Sequence, residues 1–199
     1  MKCVIVFGPP GVGKGTQSKL LSEKFNLRHI STGDIIRAEI KSGSDLGQRA
    51  ADMIKGGNLL DDKTVIAISE EALQPNKLQG FDGYILDGYP RTVEQAKAVK
   101  EFAQNHGHDI LPIICLIADE TIITERIKSR GIRAGESENV AEETANRMRV
   151  YEEQTKPVLE VFRPSCVNIY STESVDKVFF TISTLLTEHT KNGLKLPVD

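Results

Sequence analysis

The sequence predicts an α/β fold in which a parallel sheet is covered by helices on both faces. Two observations lead there. Five short apolar runs, at 3–7, 27–30, 84–86, 111–117 and 166–170, have the length and content of buried strands. Between them the apolar residues fall at helical spacing, as in Thr16, Leu20, Leu21 and Phe25, in Val93, Ala96, Val99 and Phe102, and in Val175, Val178, Phe179, Ile182, Leu185 and Leu186. Strands that alternate with helices make parallel βαβ units.

The first run, Cys3 to Phe7, opens into Gly8-Pro9-Pro10-Gly11-Val12-Gly13-Lys14-Gly15-Thr16, and the first helical face begins there. Glycines at this density let backbone N–H groups turn inward around phosphate oxygens with no side chain in the way. The helix N-terminus that follows adds the positive end of its dipole. Lys14 has the reach to meet β- and γ-phosphates. The general motif places Ser or Thr directly after the lysine, where the hydroxyl holds Mg²⁺. Here Gly15 stands in that place and Thr16 follows, so the metal has to be held by another group.

The third run ends in Asp87, followed by Gly88-Tyr89-Pro90-Arg91-Thr92. A carboxylate at the carboxyl end of a parallel strand faces the ligand crevice. Beside polyphosphate its use is to hold Mg²⁺, directly or through water; its plainer reading is a helix cap. The Arg91 guanidinium can bind two phosphate oxygens at once.

Two stretches do not belong to the core pattern. Residues 31–62 are polar and helical, start with Ser31-Thr32-Gly33-Asp34, where Thr32 or Asp34 suits a helix N-cap, and end in a Gly56-Gly57-Asn58 break. Residues 127–146 are charged and nearly free of large apolar side chains. Both are expected to be surface insertions. The tail from Lys191 to Asp199 is expected to fray.

Length and composition bound the rest. At 199 residues the chain suits one domain, and 39% hydrophobic with 27% charged residues is ordinary for a globular protein. A net charge of −3 leaves no electrostatic footprint for nucleic acid or anionic membrane. Three cysteines without a CxxC pair do not make a disulfide framework or a zinc cluster. The N-terminal run is too short for a signal peptide, and no run is long enough to span a bilayer, so the expected compartment is the cytoplasm. His29, His106, His108 and His189 are scattered and are expected to be surface or structural residues.

With its GxPGxGKGT loop, its Ser31 to Arg37 block, residues 57–62, its Asp87 to Arg91 block and the arginines between Arg126 and Arg149, the chain resembles the adenylate kinase family of nucleoside monophosphate kinases over nearly its whole length. The resemblance implies a three-layer P-loop kinase fold with a five-stranded parallel sheet in the order 2-3-1-4-5 and two mobile inserts. Residues 31–62 would close over AMP and residues 127–146 would form a short lid over ATP. It implies reversible transfer of a phosphoryl group from Mg-ATP to AMP, giving two ADP, by a monomer.

The resemblance also implies roles. Pro10, Gly11, Val12, Gly13, Lys14, Gly15 and Thr16 would cradle the ATP phosphates. Arg126 would lie against the ATP adenine, and Arg130 and Arg147 would reach the phosphates. Thr32, Gly33, Arg37, Leu60, Gly88, Arg91 and Gln95 would hold AMP, with Gln95 and the Leu60 backbone against its adenine. Asp87 would bind Mg²⁺ through water. Related pyrimidine kinases tend to carry Ala at the place of Thr32 and Asn at that of Thr92, which points to adenine here. Short-lid relatives carry Gly-Arg-x-Asp-Asp where this chain has Gly135-Glu136-Ser137-Glu138-Asn139, so one lid arginine is missing or moved, and Arg133 and Arg149 are the candidate substitutes. The lid lacks the cysteines of zinc-bearing lids, so no zinc is expected. Two other readings stay open: a UMP/CMP kinase on the same fold, and a nucleotide-binding protein weakened in turnover by the altered lid. Arg126 and Arg130 are also one helical turn apart, as on a solvated face.

Overall fold

The computed structural model describes residues 1–55, 59–134, 140–163 and 165–192. Its elements in chain order are β1 (Lys2–Phe7), α1 (Lys14–Lys24), β2 (Leu27–Ser31), α2 (Thr32–Ser42), α3 (Asp45–Lys55), α4 (Asp62–Ala72), α5 (Pro75–Leu78), β3 (Gly83–Asp87), α6 (Val93–Asn105), β4 (Asp109–Ile110), β5 (Ile113–Ile117), α7 (Glu120–Ala134), α8 (Val140–Val150), a π-helical turn (Tyr151–Thr155), α9 (Val158–Val161), β6 (Cys166–Tyr170) and α10 (Val175–Asn192). The Gly56-Gly57-Asn58 break, Gly135 to Asn139 and residues 193–199 lie outside the described residues.

The sheet is parallel, with its five principal strands in the order β2-β3-β1-β5-β6. That is the expected 2-3-1-4-5 order with one addition. The apolar run at 111–117 does not make one strand with its upstream neighbours, because Pro112 has no N–H to donate. A two-residue strand, β4, pairs with Lys2 and Cys3 before it, and β5 pairs with Val6 and Phe7 after it. Between them Leu111 N still donates to Cys3 O.

Alternation along β1 sorts the core into two faces. Cys3, Ile5 and Phe7 join Tyr84, Leu86, Ile113 and Cys115 under α4, α6 and α9. Val4 and Val6 join Ile85, Ile114 and Leu116 under α1 and α10. From Cys3 to Phe7 every residue of β1 is buried, as expected of a central strand covered on both sides. On α1 the inward side keeps Leu21 and Phe25 of the expected face and departs from it at the start of the helix. Gln17, Ser18 and Leu21 are buried there, and Thr16 is exposed. The Gln17 amide donates to Val175 O at the start of α10, so this polar residue joins the two covering helices.

Among the described residues the stretches 31–62 and 127–146 are both largely helical, as expected for residues 31–62. Helix α2 is capped by Ser31, one residue before Thr32 and three before Asp34, the two expected caps: the Ser31 hydroxyl accepts from Asp34 N at 3.3 Å. The helix stops at Gly43, whose φ of 71° is the left-handed conformation common at C-caps. The chain leaves the insert through Asp61, which caps α4 by accepting from Thr64 N at 2.9 Å. Among the described residues no helix is long and apolar enough to cross a membrane.

Register is what builds the site. Asp87 lies level with Val6 on one side and with Ser31 on the other. The carboxyl ends of β1, β2 and β3 therefore finish together. The connections out of them, the glycine loop, the start of α2 and the segment from Gly88 to Thr92, crowd one edge of the sheet. At β1 the chain's crossovers change from one side to the other, which is where α/β sheets bind ligands.

Candidate active site

The glycine loop runs from the end of β1 into α1. Gly11 has a φ of 80° and sits against α7, where a Cβ would come within 2.6 Å of Ile127 Cγ1. Gly13 caps α1 in the left-handed conformation and lends no side chain to the cap. The first N–H groups of α1 therefore stay available at the loop's mouth. Lys14 folds back over the loop, its ammonium donating to Gly8 O at 2.8 Å and Pro9 O at 2.9 Å. Burial lowers its pKa to about 8, the charge of Arg91 adds to the effect, and Asp87 opposes it.

Asp87 stands beside the loop. A Cβ on Gly15 would lie 3.2 Å from Asp87 Oδ2. The same oxygen is 3.3 Å from His29 Nε2 on β2. His29 was expected among the surface or structural histidines, and it touches the Asp87 carboxylate. Its signal is weak in sequence, because only the pairing of β2 with β3 brings together two residues 58 apart.

Past Asp87 the chain turns through Gly88, whose φ is 70°. The Gly88 carbonyl accepts from Thr32 Oγ1 at 3.0 Å and from Arg91 Nε at 2.8 Å. One carbonyl thus fixes the start of the insert helix and the orientation of the arginine. A Cβ on Gly88 would meet Arg91 Nη2 at 2.8 Å, so glycine is needed for space as well as for backbone conformation. Burial lowers the Arg91 pKa; Asp87 counters this, and the positive charges of Arg37 and Arg147 add to it. Cations from α1, α2, α8 and the β3–α6 segment thus bear on the same space.

Arg37 itself is exposed and pairs with Asp34 one turn back on α2, which holds the Asp34 carboxyl below the usual range. Its guanidinium also covers Gly33, with Nη1 at 3.2 Å from where a Cβ would stand.

Gln95 is buried, at 1% exposure. Its Oε1 accepts from Arg91 N at 2.8 Å and its Nε2 donates to Asp62 Oδ1 at 2.8 Å. Thr92, the cap of α6, donates to the same Asp62 oxygen at 2.8 Å and accepts from Gln95 N at 3.2 Å. Leu60, two residues before Asp62, is buried in the core face that includes Ile36, Val65 and Tyr89. Asp62 was not among the residues singled out from sequence; a capping pair of Thr92 with Gln95 three residues on is legible there, but not its third member.

On the other side of the loop, Arg126 of α7 is anchored. It donates to Val12 O and Ser171 Oγ, each at 3.4 Å, and to Ser171 O at 2.7 Å. It spans the glycine loop and the turn after β6. Arg149 turns elsewhere, donating to Glu153 at 2.8 Å and Asn146 at 2.7 Å along its own helix surface. The side chains of Arg130 and Arg133, and Glu136 altogether, lie outside the described residues.

A glycine loop at a sheet's carboxyl edge, a half-buried lysine folded over it, a carboxylate at the end of the adjacent strand and an arginine whose charge bears on both define a P-loop phosphotransferase. The comparisons with known proteins narrow the class. The family model for adenylate kinase matches residues 6–167. The adenylate kinase of Chloroherpeton thalassium is 39% identical over 219 residues, covering 94% of this chain and 99% of the relative. That of Porphyromonas gingivalis is 35% identical, covering 94% and 97%, and that of Mycobacterium tuberculosis is 38% identical, covering 88% and 94%. The chain belongs to the adenylate kinase family.

Proposed function

We propose that this enzyme transfers the terminal phosphoryl group of Mg-ATP to AMP, reversibly, giving two ADP, and that the residues at the sheet's carboxyl edge carry the reaction. The observation that supports it most is the meeting of Lys14, Arg91 and Asp87 at the end of the glycine loop, with the charges of Arg37 and Arg147 also bearing on Arg91. ATP and AMP together bring roughly six negative charges at neutral pH. Phosphoryl transfer asks the protein chiefly to place those charges in line and to neutralise them.

In this reading Pro10 to Thr16 wrap the ATP phosphates with backbone N–H groups. Lys14 leaves the Gly8 and Pro9 carbonyls to follow the migrating phosphoryl group. Arg126 sits beside the ATP base, and Arg130, Arg133 and Arg147 reach the phosphates. Arg37 gives up Asp34 for the AMP phosphate, and Arg91 bridges donor and acceptor. Thr32, Gly33 and Gly88 form the floor of the AMP site, with Leu60 and Gln95 toward the base. Water is a competing acceptor, so closure of residues 31–62 and 127–146 over the two nucleotides is part of the mechanism.

A hydrated Mg²⁺ suits the residues present. The missing hydroxyl at Gly15 leaves open the space next to Asp87 Oδ2, and His29 steadies that carboxylate. Bound with ATP, the ion would supply charge neutralisation at the phosphates. Both nucleotide sites are built from one chain, which suits a monomer. The three cysteines are free thiols, which suits the cytoplasm.

The test is a coupled assay of ADP formation with AMP, UMP, CMP and GMP as acceptors. AMP is expected to be preferred by a wide margin, because a pocket that hydrogen-bonds one base edge leaves buried polar groups unpaired with another. Equal or better efficiency with UMP or CMP would make this a pyrimidine nucleotide kinase. Tight ATP binding without ADP formation would mark a protein that has lost turnover.

A further inference from the structure

The carboxamide of Gln95 can face either way in principle, and the structure fixes which. The Arg91 N–H only donates, so the atom against it has to be Oε1. A carboxylate oxygen only accepts, so the atom against Asp62 has to be Nε2. Reversing the amide would set its N–H₂ against the Arg91 N–H and its carbonyl against the Asp62 carboxylate. Those are two like-against-like contacts at a residue 1% exposed, where water cannot relieve them. The carboxamide retains one N–H and one oxygen lone pair, in a set order.

That order matters for a purine. A 6-aminopurine offers a donor at C6 and an acceptor at N1, and a 6-oxopurine offers the reverse. An amide locked in one orientation matches one of the two, and a freely turning amide matches both. We infer that Asp62 is a positioning residue for base selection: by holding Gln95 Nε2 it sets the carboxamide for a 6-aminopurine monophosphate and against a 6-oxopurine one. The inference rests on the reading above that Gln95 meets the acceptor's base.

The position of Asp62 gives it a second connection. It is the first residue of α4, directly after the segment that closes the insert, and its Oδ1 also receives the Thr92 hydroxyl that caps α6. Orientation of the amide is thereby tied to the junction of the insert with the sheet's covering layer.

The experiment compares initial rates with saturating Mg-ATP and varied AMP or inosine monophosphate for the full chain, Asp62→Ala and Asp62→Asn, with a melting curve for each. For Asp62→Ala the ratio of kcat/KM for AMP to that for inosine monophosphate is expected to fall about tenfold, the scale of one lost charge-assisted hydrogen bond at a buried group. The change is expected in the acceptor KM, with KM for ATP unmoved. Asp62→Asn keeps an oxygen in the same place without the charge, and its ratio is expected to fall by about threefold. If the alanine variant does not fold, the asparagine variant decides alone. An unchanged ratio overturns the inference, and so does an equal loss toward both acceptors, which would leave Asp62 a joint between α4 and α6 and nothing more. A wild-type enzyme that does not prefer AMP among the monophosphates overturns the functional reading itself, which is a different failure.

Discussion

Gly15 and Asp87 share one small space: the point where a Cβ on Gly15 would stand is 3.2 Å from Asp87 Oδ2. The loop's departure from the usual lysine-then-hydroxyl order and the carboxylate at the end of β3 are therefore one arrangement. In the function proposed above, what a hydroxyl after the lysine does in other loops would fall here to a carboxylate 72 positions further along the chain, which reaches the loop through the pairing of β1 with β3.

Gly15→Ala is expected to crowd that carboxylate. The backbone at Gly15 is ordinary, so the chain should fold, and the effect should appear in turnover, lower by on the order of tenfold or more, with a raised Mg²⁺ requirement. Steady-state rates across a Mg²⁺ titration check it. Wild-type rate and wild-type Mg²⁺ dependence would show that the space beside Asp87 is not used.

Lys14 carries a pH signature. Its ammonium is the form that pairs with phosphate, and burial together with Arg91 lowers its pKa to about 8 in the free enzyme. Below that value the group is charged; above it the proton is lost. The kcat/KM for ATP, which reports the free enzyme, is therefore expected to decline as pH rises through about 8. Bound polyphosphate favours the ammonium, so the decline in kcat should come at higher pH. A kcat/KM profile flat to about pH 9.5 would contradict the assignment. Lys14→Met keeps the bulk and removes the charge, and is expected to abolish transfer with the fold intact.

Gly88→Ala attacks the arginine rather than the loop. The new Cβ would press on Arg91 Nη2 from 2.8 Å, and the left-handed backbone adds a cost of about 1 kcal/mol. Turnover is expected to fall more than tenfold, beyond what that modest loss of stability explains. Thermal melting and kinetics on the same preparation separate the two effects. Near-normal kcat would mean that Arg91 acts from another position.

The two arginines at the end of α8 are expected to behave differently. Arg147→Ala removes a charge that bears on Arg91 and should slow turnover by a factor on the order of ten. Arg149→Ala breaks only an exposed pairing with Glu153 and Asn146, and should stay within about twofold, since such pairs contribute little. A crippled Arg149→Ala with a normal Arg147→Ala would reverse the assignment. Arg133→Ala should also slow turnover, and Glu136→Arg should be neutral or activating, if Arg133 replaces the arginine that the lid lacks.

The sequence by itself determined the elements and the chemistry that is local in the chain. A glycine-rich turn between an apolar run and a helix points to a phosphate cradle from sequence alone, because the backbone N–H groups that would do the binding belong to consecutive residues. Asp87 at the end of a run, Arg91 four positions on, the polar helical inserts and the two-faced burial of β1 were legible for the same reason. Tertiary structure decided the meetings of residues distant in sequence. Strand register set His29 against Asp87 across 58 positions, and helix packing set Gln95 against Asp62 across 33. It also separated Arg147 from Arg149, two positions apart on one helix: the charge of one bears on Arg91, and the other pairs along its own helix surface. Spacing in the chain carries no information about such choices, since direction on a helix matters only once something stands on one side of it.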